Sequence, residues 1–190
     1  MGQPFVPDDF DVPLSFDGPA FRLEPLGPEH NERDHDAWMS SIDHIRATPG
    51  FGPPRDWPRP MDSDANRSDL VGHATDFENR EGFTYSILDG DEVIGCVYIY
   101  PSKDPEHDAG VSSWVRASRS EMDVVVYRSL TDWLAEAWPF ENPEYAARDL
   151  PRTQGSPRPI WRLQPAVRVG AFARFVPRAH DAKYDVHNPG

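Results

Sequence analysis

Polar and apolar positions alternate most clearly in the middle of the chain. Residues 83–88 alternate apolar and polar side chains as strands do, residues 93–100 form a mostly apolar run, and both are rich in β-branched and aromatic residues. The Asp-Gly pair at residues 89–90 lies between them and suits a tight hairpin turn, because glycine adopts positive φ without strain. A third run, residues 111–116, follows a charged loop. The pattern predicts a β-hairpin followed by a third strand.

Three other segments place apolar residues at steps of three and four, which is the periodicity of an amphipathic helix. We predict helices over residues 28–46, 62–80 and 123–138. Asp62 or Ser63 is suited to cap the second helix, because its side-chain oxygen can accept a hydrogen bond from a backbone amide of the first turn.

The two ends of the chain carry weaker patterns. Residues 21–26 alternate as a strand does, and residues 144–148 are predicted as one more short strand. Residues 1–20 are predicted as an extended arm whose aromatic side chains lie against the core at Phe5, Phe10 and Phe16. Residues 151–190 are Arg/Pro-rich and are predicted as a flexible extension, with an added edge strand or a partner-binding segment as alternatives. The folded domain is placed at residues 21–150.

The chain is acidic, with a net charge of −13 over 190 residues, but the charge is unevenly distributed. Residues 1–150 carry 12 Lys and Arg against 30 Asp and Glu, whereas residues 151–190 carry 7 against 2. An acidic body disfavours nucleic-acid binding, because phosphates are bound on basic surfaces. It favours a cationic partner such as an amine, although the same acidity also serves solubility.

Cysteine content and hydropathy favour a cytoplasmic protein without a membrane partner. Cys96 is the only cysteine, so the sequence has no internal disulfide, and its place in an apolar strand predicts a small buried side chain. No apolar run approaches the roughly 20 residues of a membrane-spanning helix. Residues 1–4 have neither the basic nor the apolar region of a secretory leader.

Two long motifs carry a family resemblance. Residues 82–101, GFTYSILDGDEVIGCVYIYP, and residues 112–140, SSWVRASRSEMDVVVYRSLTDWLAEAWPF, are similar to consecutive parts of the GNAT superfamily of acetyl-CoA-dependent N-acetyltransferases. The first resembles that family's second and third strands, and the second resembles its fourth strand, loop and following helix. The resemblance spans residues 21–148. It implies an α/β fold with a mixed, mostly antiparallel sheet flanked by helices.

The same resemblance implies where acetyl-CoA would bind. In that family the fourth and fifth strands part, pantetheine lies between them, and backbone amides at the next helix hold the pyrophosphate. A helix N-terminus suits this role because it offers unpaired N–H groups and partial positive charge. The corresponding positions, and hence the expected cofactor-binding residues, are Val115, Arg116, Arg119, Ser120, Glu121, Met122, Asp123 and Val124.

This loop departs from the family pattern, which reads Arg or Gln, two residues, Gly, one residue, then Gly or Ala. Arg119 matches the first position, but Met122 and Val124 replace the small residues that permit close backbone approach to phosphate. Glu121 and Asp123 add two carboxylates. Each would repel a phosphate by about 4 kcal/mol at 4 Å for an effective dielectric of 20, and less when solvated.

N-acyl transfer to an amine needs a base for the ammonium proton and a donor for the thiolate or oxyanion. Glu106, His107 or Asp108 is a candidate base if the loop before residue 111 folds over the site, and otherwise forms a solvated turn. Ser112 or Ser113 is a candidate donor, with an ordinary strand position as the alternative.

Other chemistry-bearing residues do not combine into a site. Trp57, in a proline-rich loop, either forms a wall of the acceptor pocket or packs on the surface. The spacing of His30 and His35 does not place both rings on one helix face, so with His44 they predict no metal site. The family often contributes a general-acid tyrosine after its fifth strand, but here Tyr184 stands alone in a polar segment.

The residues and the resemblance together predict acyl-CoA-dependent N-acylation of a small-molecule amine, by direct attack of the amine on the thioester. Whether the chain is an enzyme is left open, because no complete catalytic set is visible. A non-catalytic GNAT-like binding or interaction protein that has lost CoA binding is one alternative, and other chemistry on the same scaffold is another. A homodimer that completes a short domain also stays open, as do the acyl group and the acceptor.

Overall fold

A computed structural model describes residues 4–149. Ten helices and strands follow one another in this part of the chain: β1 (Phe16–Asp17), β2 (Arg22–Pro25), α1 (Asn31–Met39), α2 (Ile42–Ala47), α3 (Ser63–Glu78), β3 (Phe83–Asp89), β4 (Glu92–Tyr100), β5 (Gly110–Val115), α4 (Asp123–Ala137) and β6 (Glu144–Tyr145). Short 3-10 turns precede α1 and α4, at Pro28–His30 and Ala117–Met122. The predicted extension over residues 151–190, with Tyr184, lies outside the described residues.

The strands form one six-stranded sheet in the order of the sequence. All neighbouring strands are antiparallel except β5 and β6, which are parallel. The predicted hairpin pairs from Phe83 opposite Ile99 to Asp89 opposite Glu92. The predicted α/β fold, with a mixed and mostly antiparallel sheet flanked by helices, is therefore confirmed. The short strand β1, inside the predicted arm, was not expected.

The sheet separates two hydrophobic cores, because successive strand residues point to opposite faces. Val97 and Ile99 belong to the core beneath α4, whereas Cys96 belongs to the core beneath α1 and α3. The N-terminal arm closes the α4 side with Phe5, Phe10 and Phe16, as the sequence predicted. The Phe16 ring, for example, lies 5.1 Å from the Trp133 ring of α4.

The prediction of one continuous helix over residues 28–46 is wrong, because the helix is interrupted between Met39 and Ile42. The hydroxyls of Ser40 and Ser41 both donate to the backbone carbonyl of Ala37, at 3.0 and 2.8 Å. Such side-chain bonds compete with helix continuation. The Ser41 hydroxyl also accepts a hydrogen bond from the backbone amide of Ala117 at 3.0 Å. The interruption thus connects the α1–α2 corner to the turn before α4.

Gly95, the glycine that follows "VI" in the outgoing strand of the hairpin, is required by the approach of β5. A Cβ atom placed there would lie 2.0 Å from the carbonyl oxygen of Trp114. The β4–β5 pairing therefore tolerates no side chain at this position.

Candidate functional site

The two parallel strands at the sheet edge separate after a short contact. Strand β5 pairs with β6 at Gly110 opposite Glu144 and at Val111 opposite Tyr145, and no further pair forms between them in residues 4–149. We call the space between residues 112–115 and 146–148 the β5–β6 cleft. Its narrow end lies at Tyr145, and its wide end reaches the start of α4.

Two buried hydroxyls meet at the narrow end of the cleft. The Tyr145 hydroxyl lies 2.6 Å from the Ser113 hydroxyl, one on each of the parting strands. The Tyr145 ring also packs on Tyr127 of α4, with 4.7 Å between centroids. Burial raises the pKa of Tyr145 well above its ordinary value, so the phenol stays protonated at neutral pH. The pair can therefore donate a proton or a hydrogen bond to a group bound at the narrow end.

Arg148 fills the cleft beyond these hydroxyls. Its Nε and Nη2 atoms donate to the Asp123 carboxylate at 2.9 and 3.1 Å. Nη2 also donates to the Ser113 carbonyl at 2.8 Å, and Nη1 donates to the Ala146 carbonyl at 3.0 Å and the Pro49 carbonyl at 3.3 Å. The side chain is only 4% exposed. Arg148 thus satisfies backbone groups on both sides of the parted strands.

A loop and a helix form the walls around Arg148. On one side, a Cβ built on Gly50 would lie 3.2 Å from the Ala146 Cβ and 3.7 Å from the Cβ of the buried candidate Ser112. Gly50 has φ of +94°, which suits a glycine. On the other side, the Arg148 guanidinium lies 5.5 Å from the Tyr127 ring centroid. The outer surface of the Gly50 loop forms an open hollow of about 450 Å³, lined by residues between 46 and 55.

Arg119, expected to contact phosphate, is held by carboxylates. It bonds to Asp89 of β3, to Glu92 of β4 at 2.8 Å, and to Glu121 at 3.4 Å. The hydrogen bond with Asp89 contributes most to raising the pKa of Arg119 above its ordinary value. Arg119 therefore ties the turn before α4 to the β3–β4 hairpin.

Arg116 is engaged in the same way. Its guanidinium lies 3.1 Å from the Asp36 carboxylate of α1 and 3.1 Å from Glu92, and it donates to the Ser40 hydroxyl at 3.3 Å. Two guanidinium groups on this turn thus face four carboxylates, those of Asp36, Asp89, Glu92 and Glu121. The local charge is unfavourable to a phosphate.

The rest of the predicted cofactor-binding set lies on the same turn and at the ends of its flanking elements. Val115 is buried at the end of β5, Ser120 is exposed, and Met122 and Val124 are half-buried. Asp123 is the first residue of α4, and its carboxylate is paired with Arg148 rather than free. Asp123 is the member of the set that contacts a side chain in the cleft, and the role of these positions in binding a cofactor stays a prediction.

The candidate bases belong to a loop that folds against the chain before β6. His107 Nδ1 lies 3.0 Å from the Asn142 carbonyl, and the Glu106 carbonyl accepts from the Asn142 side chain at 2.6 Å. Both oxygens of Asp108 accept from the Asn142 amide, at 3.1 and 3.2 Å. The loop therefore lies beyond the narrow end of the cleft, next to the point where the strands pair.

The face of the sheet under α1 and α3 carries a second group of aromatic and polar side chains. The half-buried Trp57 ring lies 5.6 Å from Phe51 and 6.2 Å from Tyr98. Beside Tyr98, His73 Nδ1 lies 2.9 Å from the Tyr100 hydroxyl, which donates to Asp76 at 3.2 Å. Trp57 thus packs over the core rather than standing alone on the surface.

Sequence reasoning did not single out Tyr145 or Arg148 as site residues and treated them only as part of a short strand. The available signal was an arginine at the end of the apolar run at residues 145–147, since an isolated charge in such a run needs a buried partner. That partner, Asp123, lies 25 residues earlier.

Residues 4–149 contain neither a metal-binding cluster nor a helix that could span a membrane. The described side chains include no group of three or more His, Cys, Asp and Glu that could hold a metal ion. None of the helices in this range is long and apolar enough to cross a membrane.

Comparisons with known proteins identify the fold. No protein-family model and no curated protein matches the chain. Among solved structures, it is similar to a protein described as a probable acetyltransferase (TM-score 0.54, 13% identity, 72% of this chain and 76% of that chain). It is also similar to Mycobacterium smegmatis RimJ in complex with CoA-disulfide (0.51, 16%, 71% and 66%). A third is RimL, a ribosomal L7/L12 α-N-protein acetyltransferase in complex with coenzyme A (0.50, 15%, 65% and 67%). The chain therefore has the GNAT fold.

Proposed function

We propose that the chain transfers an acyl group from acyl-CoA to the nitrogen of a small-molecule amine. The observation that carries the proposal is the β5–β6 cleft, which has paired hydroxyls at its narrow end and the start of α4 at its wide end. Two structurally similar proteins in complex with CoA or CoA-disulfide support it. The cofactor-binding role of residues 115, 116 and 119–124 and the candidate bases Glu106 and His107 belong to this proposal.

The two ends of the cleft fit an acyl-CoA differently. The narrow end suits a thioester, because it is buried and offers the hydroxyls of Tyr145 and Ser113. The wide end suits a pyrophosphate less well, because Arg116 and Arg119 are already paired with carboxylates. Acyl-CoA supplies an activated acyl group when it binds, and the chain must supply proton transfers.

In the proposed reaction the amine nitrogen bonds to the acyl carbon and the carbon–sulfur bond breaks. The nitrogen loses one proton to a base, for which His107 and Glu106 stay candidates. The sulfur leaves with the electron pair of the broken bond and takes a proton from Tyr145. The Tyr145 phenolate then regains its proton from water, and until then Ser113, 2.6 Å away, donates a hydrogen bond to it.

Ligand binding tests the proposal first. Thermal unfolding of the full chain is followed with acetyl-CoA and with free CoA up to millimolar concentration. A ligand at about 100 times its Kd stabilises a protein by roughly 2.7 kcal/mol, so binding raises Tm measurably. The bound protein is then incubated with a panel of small amines while release of free thiol is measured. Absence of any shift with either ligand would refute the enzyme proposal.

A second candidate function is a non-catalytic binding protein with the GNAT fold. The observation that favours it is that carboxylates of the same chain engage Arg148 in the cleft and both Arg116 and Arg119 on the turn before α4. If this candidate is right, CoA does not bind. Alternatively, acetyl-CoA binds, but with every amine of the panel free thiol is released no faster than in buffer without protein.

A further inference from the structure

We propose that Arg148 is an internal occupant of the β5–β6 cleft, which an acyl donor must displace in order to bind. The ion pair between Arg148 and Asp123 then sets how readily the cleft accepts its ligand. This inference rests on the proposed function, because it takes acyl-CoA as the ligand. It concerns access to the site, which the fold alone does not determine.

Arg148 donates hydrogen bonds to the same backbone carbonyls that the amide N–H groups of an extended ligand would contact. Where β5 and β6 part, backbone carbonyls that face the cleft lose a strand partner. Arg148 donates to two such groups, the Ser113 carbonyl at 2.8 Å and the Ala146 carbonyl at 3.0 Å. It also contacts the Ser113 hydroxyl at 3.3 Å, the same hydroxyl that bonds to Tyr145. An extended ligand in the cleft needs the volume that this side chain fills.

The charge on Arg148 explains why the occupied state is stable. A guanidinium that is only 4% exposed must have a counter-charge, and Asp123 supplies it through two hydrogen bonds at 2.9 and 3.1 Å. The long side chain can instead turn outward, where water solvates the guanidinium. Asp123 would then stay at the start of α4, where the positive end of the helix dipole partly compensates its charge.

Displacement of Arg148 has a second consequence for an anionic ligand. Once the ion pair is broken, the Asp123 carboxylate is exposed at the wide end of the cleft, where it repels a pyrophosphate. Removing Arg148 alone therefore opens the cleft but leaves this repulsion. Removing both charges opens the cleft without it, so the double variant Asp123→Asn/Arg148→Ala is the decisive one.

The experiment is titration calorimetry of the full chain with free CoA. We expect Asp123→Asn/Arg148→Ala to bind CoA at least tenfold more tightly than the unmodified chain, and Asp123→Asn alone to bind about threefold more tightly. The matched control is Arg22→Ala/Glu24→Gln, which removes a more exposed ion pair on β2 and should leave the Kd unchanged. A residue with a purely structural role would give weaker binding when removed. Equal or weaker CoA binding by the folded double variant would therefore overturn the proposal.

Hydrogen exchange gives a readout that does not depend on CoA. Because Arg148 ties residues 146–148 to β5, amides in the peptide 144–149 should exchange at least tenfold faster in the double variant than in the control. Unchanged exchange would overturn the role of Arg148 in closing the cleft. If exchange accelerates while no variant binds CoA, the closure is supported and the acyl-CoA function fails.

Discussion

Among residues 4–149, an aspartate and an arginine are buried in different places: Asp34 lies on one face of the sheet and Arg148 at its edge, with 4% and 8% of the whole residue exposed. Asp34 accepts from the neutral groups of Asn66 at 3.1 Å and Cys96 at 3.3 Å. Arg148 is paired with the carboxylate of Asp123. Burial raises the pKa of Asp34 above its ordinary value, and the hydrogen bonds from Asn66 and Cys96 offset only part of this effect, whereas Arg148 keeps its counter-ion.

The hydrogen-bond partners of Asp34 and Arg148 differ in whether a bound ligand could take over their contacts. Asp34 lies in a closed network, in which Asn66 also accepts from the Trp38 indole at 2.9 Å and donates to Asn31 at 2.9 Å. This network joins α1 to α3 and, through Cys96, to β4. Arg148 instead bonds to carbonyls of a parted strand pair, groups that a ligand can equally satisfy. A buried charge whose partners could also bind a ligand indicates a binding site. A buried group whose partners all bond to one another indicates a structural role.

The largest expected effect comes from leaving the cleft with one unpaired charge. Arg148→Ala leaves the Asp123 carboxylate without its partner and should lower the free energy of unfolding by about 3 kcal/mol, as for other broken buried ion pairs. Asp123→Asn/Arg148→Ala should lower it by at least 1 kcal/mol less, because no unpaired charge is left. Urea unfolding of both variants measures the difference. Equal losses would show that the charge of Asp123 does not matter.

The next effect concerns the hydroxyls beside Arg148. Tyr145→Phe keeps the ring but removes the proposed proton donor, so kcat for thiol release should fall about 100-fold while KM changes less than twofold. Tyr127→Phe is the control, because it removes a hydroxyl that takes no part in the Ser113 pair. A Tyr145→Phe enzyme with unchanged kcat would exclude Tyr145 as the donor.

A smaller effect on stability is expected at Asp34, the other buried group of the comparison. Cys96→Ala removes the thiol that donates to Asp34 and leaves a small cavity, which should lower the free energy of unfolding by about 1 kcal/mol. The Kd for CoA should not change, because this group belongs to the framework. A changed Kd would mean that the two buried centres are coupled, and the distinction between them would not hold.

The smallest effect is a trend with pH. A carboxyl whose pKa is raised by folding binds more protons in the folded state than in the unfolded state, so it lowers stability as pH rises. The loss begins near the ordinary Asp value of 3.8 and is complete above the raised pKa of Asp34. Asp34→Asn should therefore gain stability relative to the unmodified chain between pH 4 and pH 8, measured by urea unfolding in matched buffers. An unmodified chain that gains relative to the variant over this range would show that Asp34 is stabilised as a carboxylate.

The parts of the fold that could be predicted are those with strong local patterns. The β3–β4 hairpin and α4 follow from alternation and helical periodicity, with the Asp-Gly turn between the strands. The break at Ser40 and Ser41 could not be predicted from periodicity, because it depends on which acceptor the two hydroxyls find. The short strand β1 depends on pairing with β2 rather than on its own two residues.

The place of the turn before α4 was predicted from the sequence, but the carboxylate partners of its arginines were not. The motif around residues 112–140 placed the turn before α4 correctly at the end of β5. However, the partners of Arg119 lie 27 and 30 residues earlier, on the hairpin, and one partner of Arg116 lies 80 residues earlier. Distances of this size along the chain leave no local pattern. The sequence also predicted that the Asp123 carboxylate repels a phosphate, but in the structure Arg148 pairs with this carboxylate and neutralises its charge.

One hydroxyl makes two corners of the molecule mechanically dependent on each other. The Ser41 side chain interrupts the helices at the α1–α2 corner and accepts from the amide of Ala117, at the start of the turn that leads to α4. The Gly50 loop begins directly after α2. A displacement of the turn must therefore either carry this corner with it or break the bond. The two hydrogen bonds of the Ser41 hydroxyl therefore couple the position of the loop that lines the cleft to the position of the turn before α4.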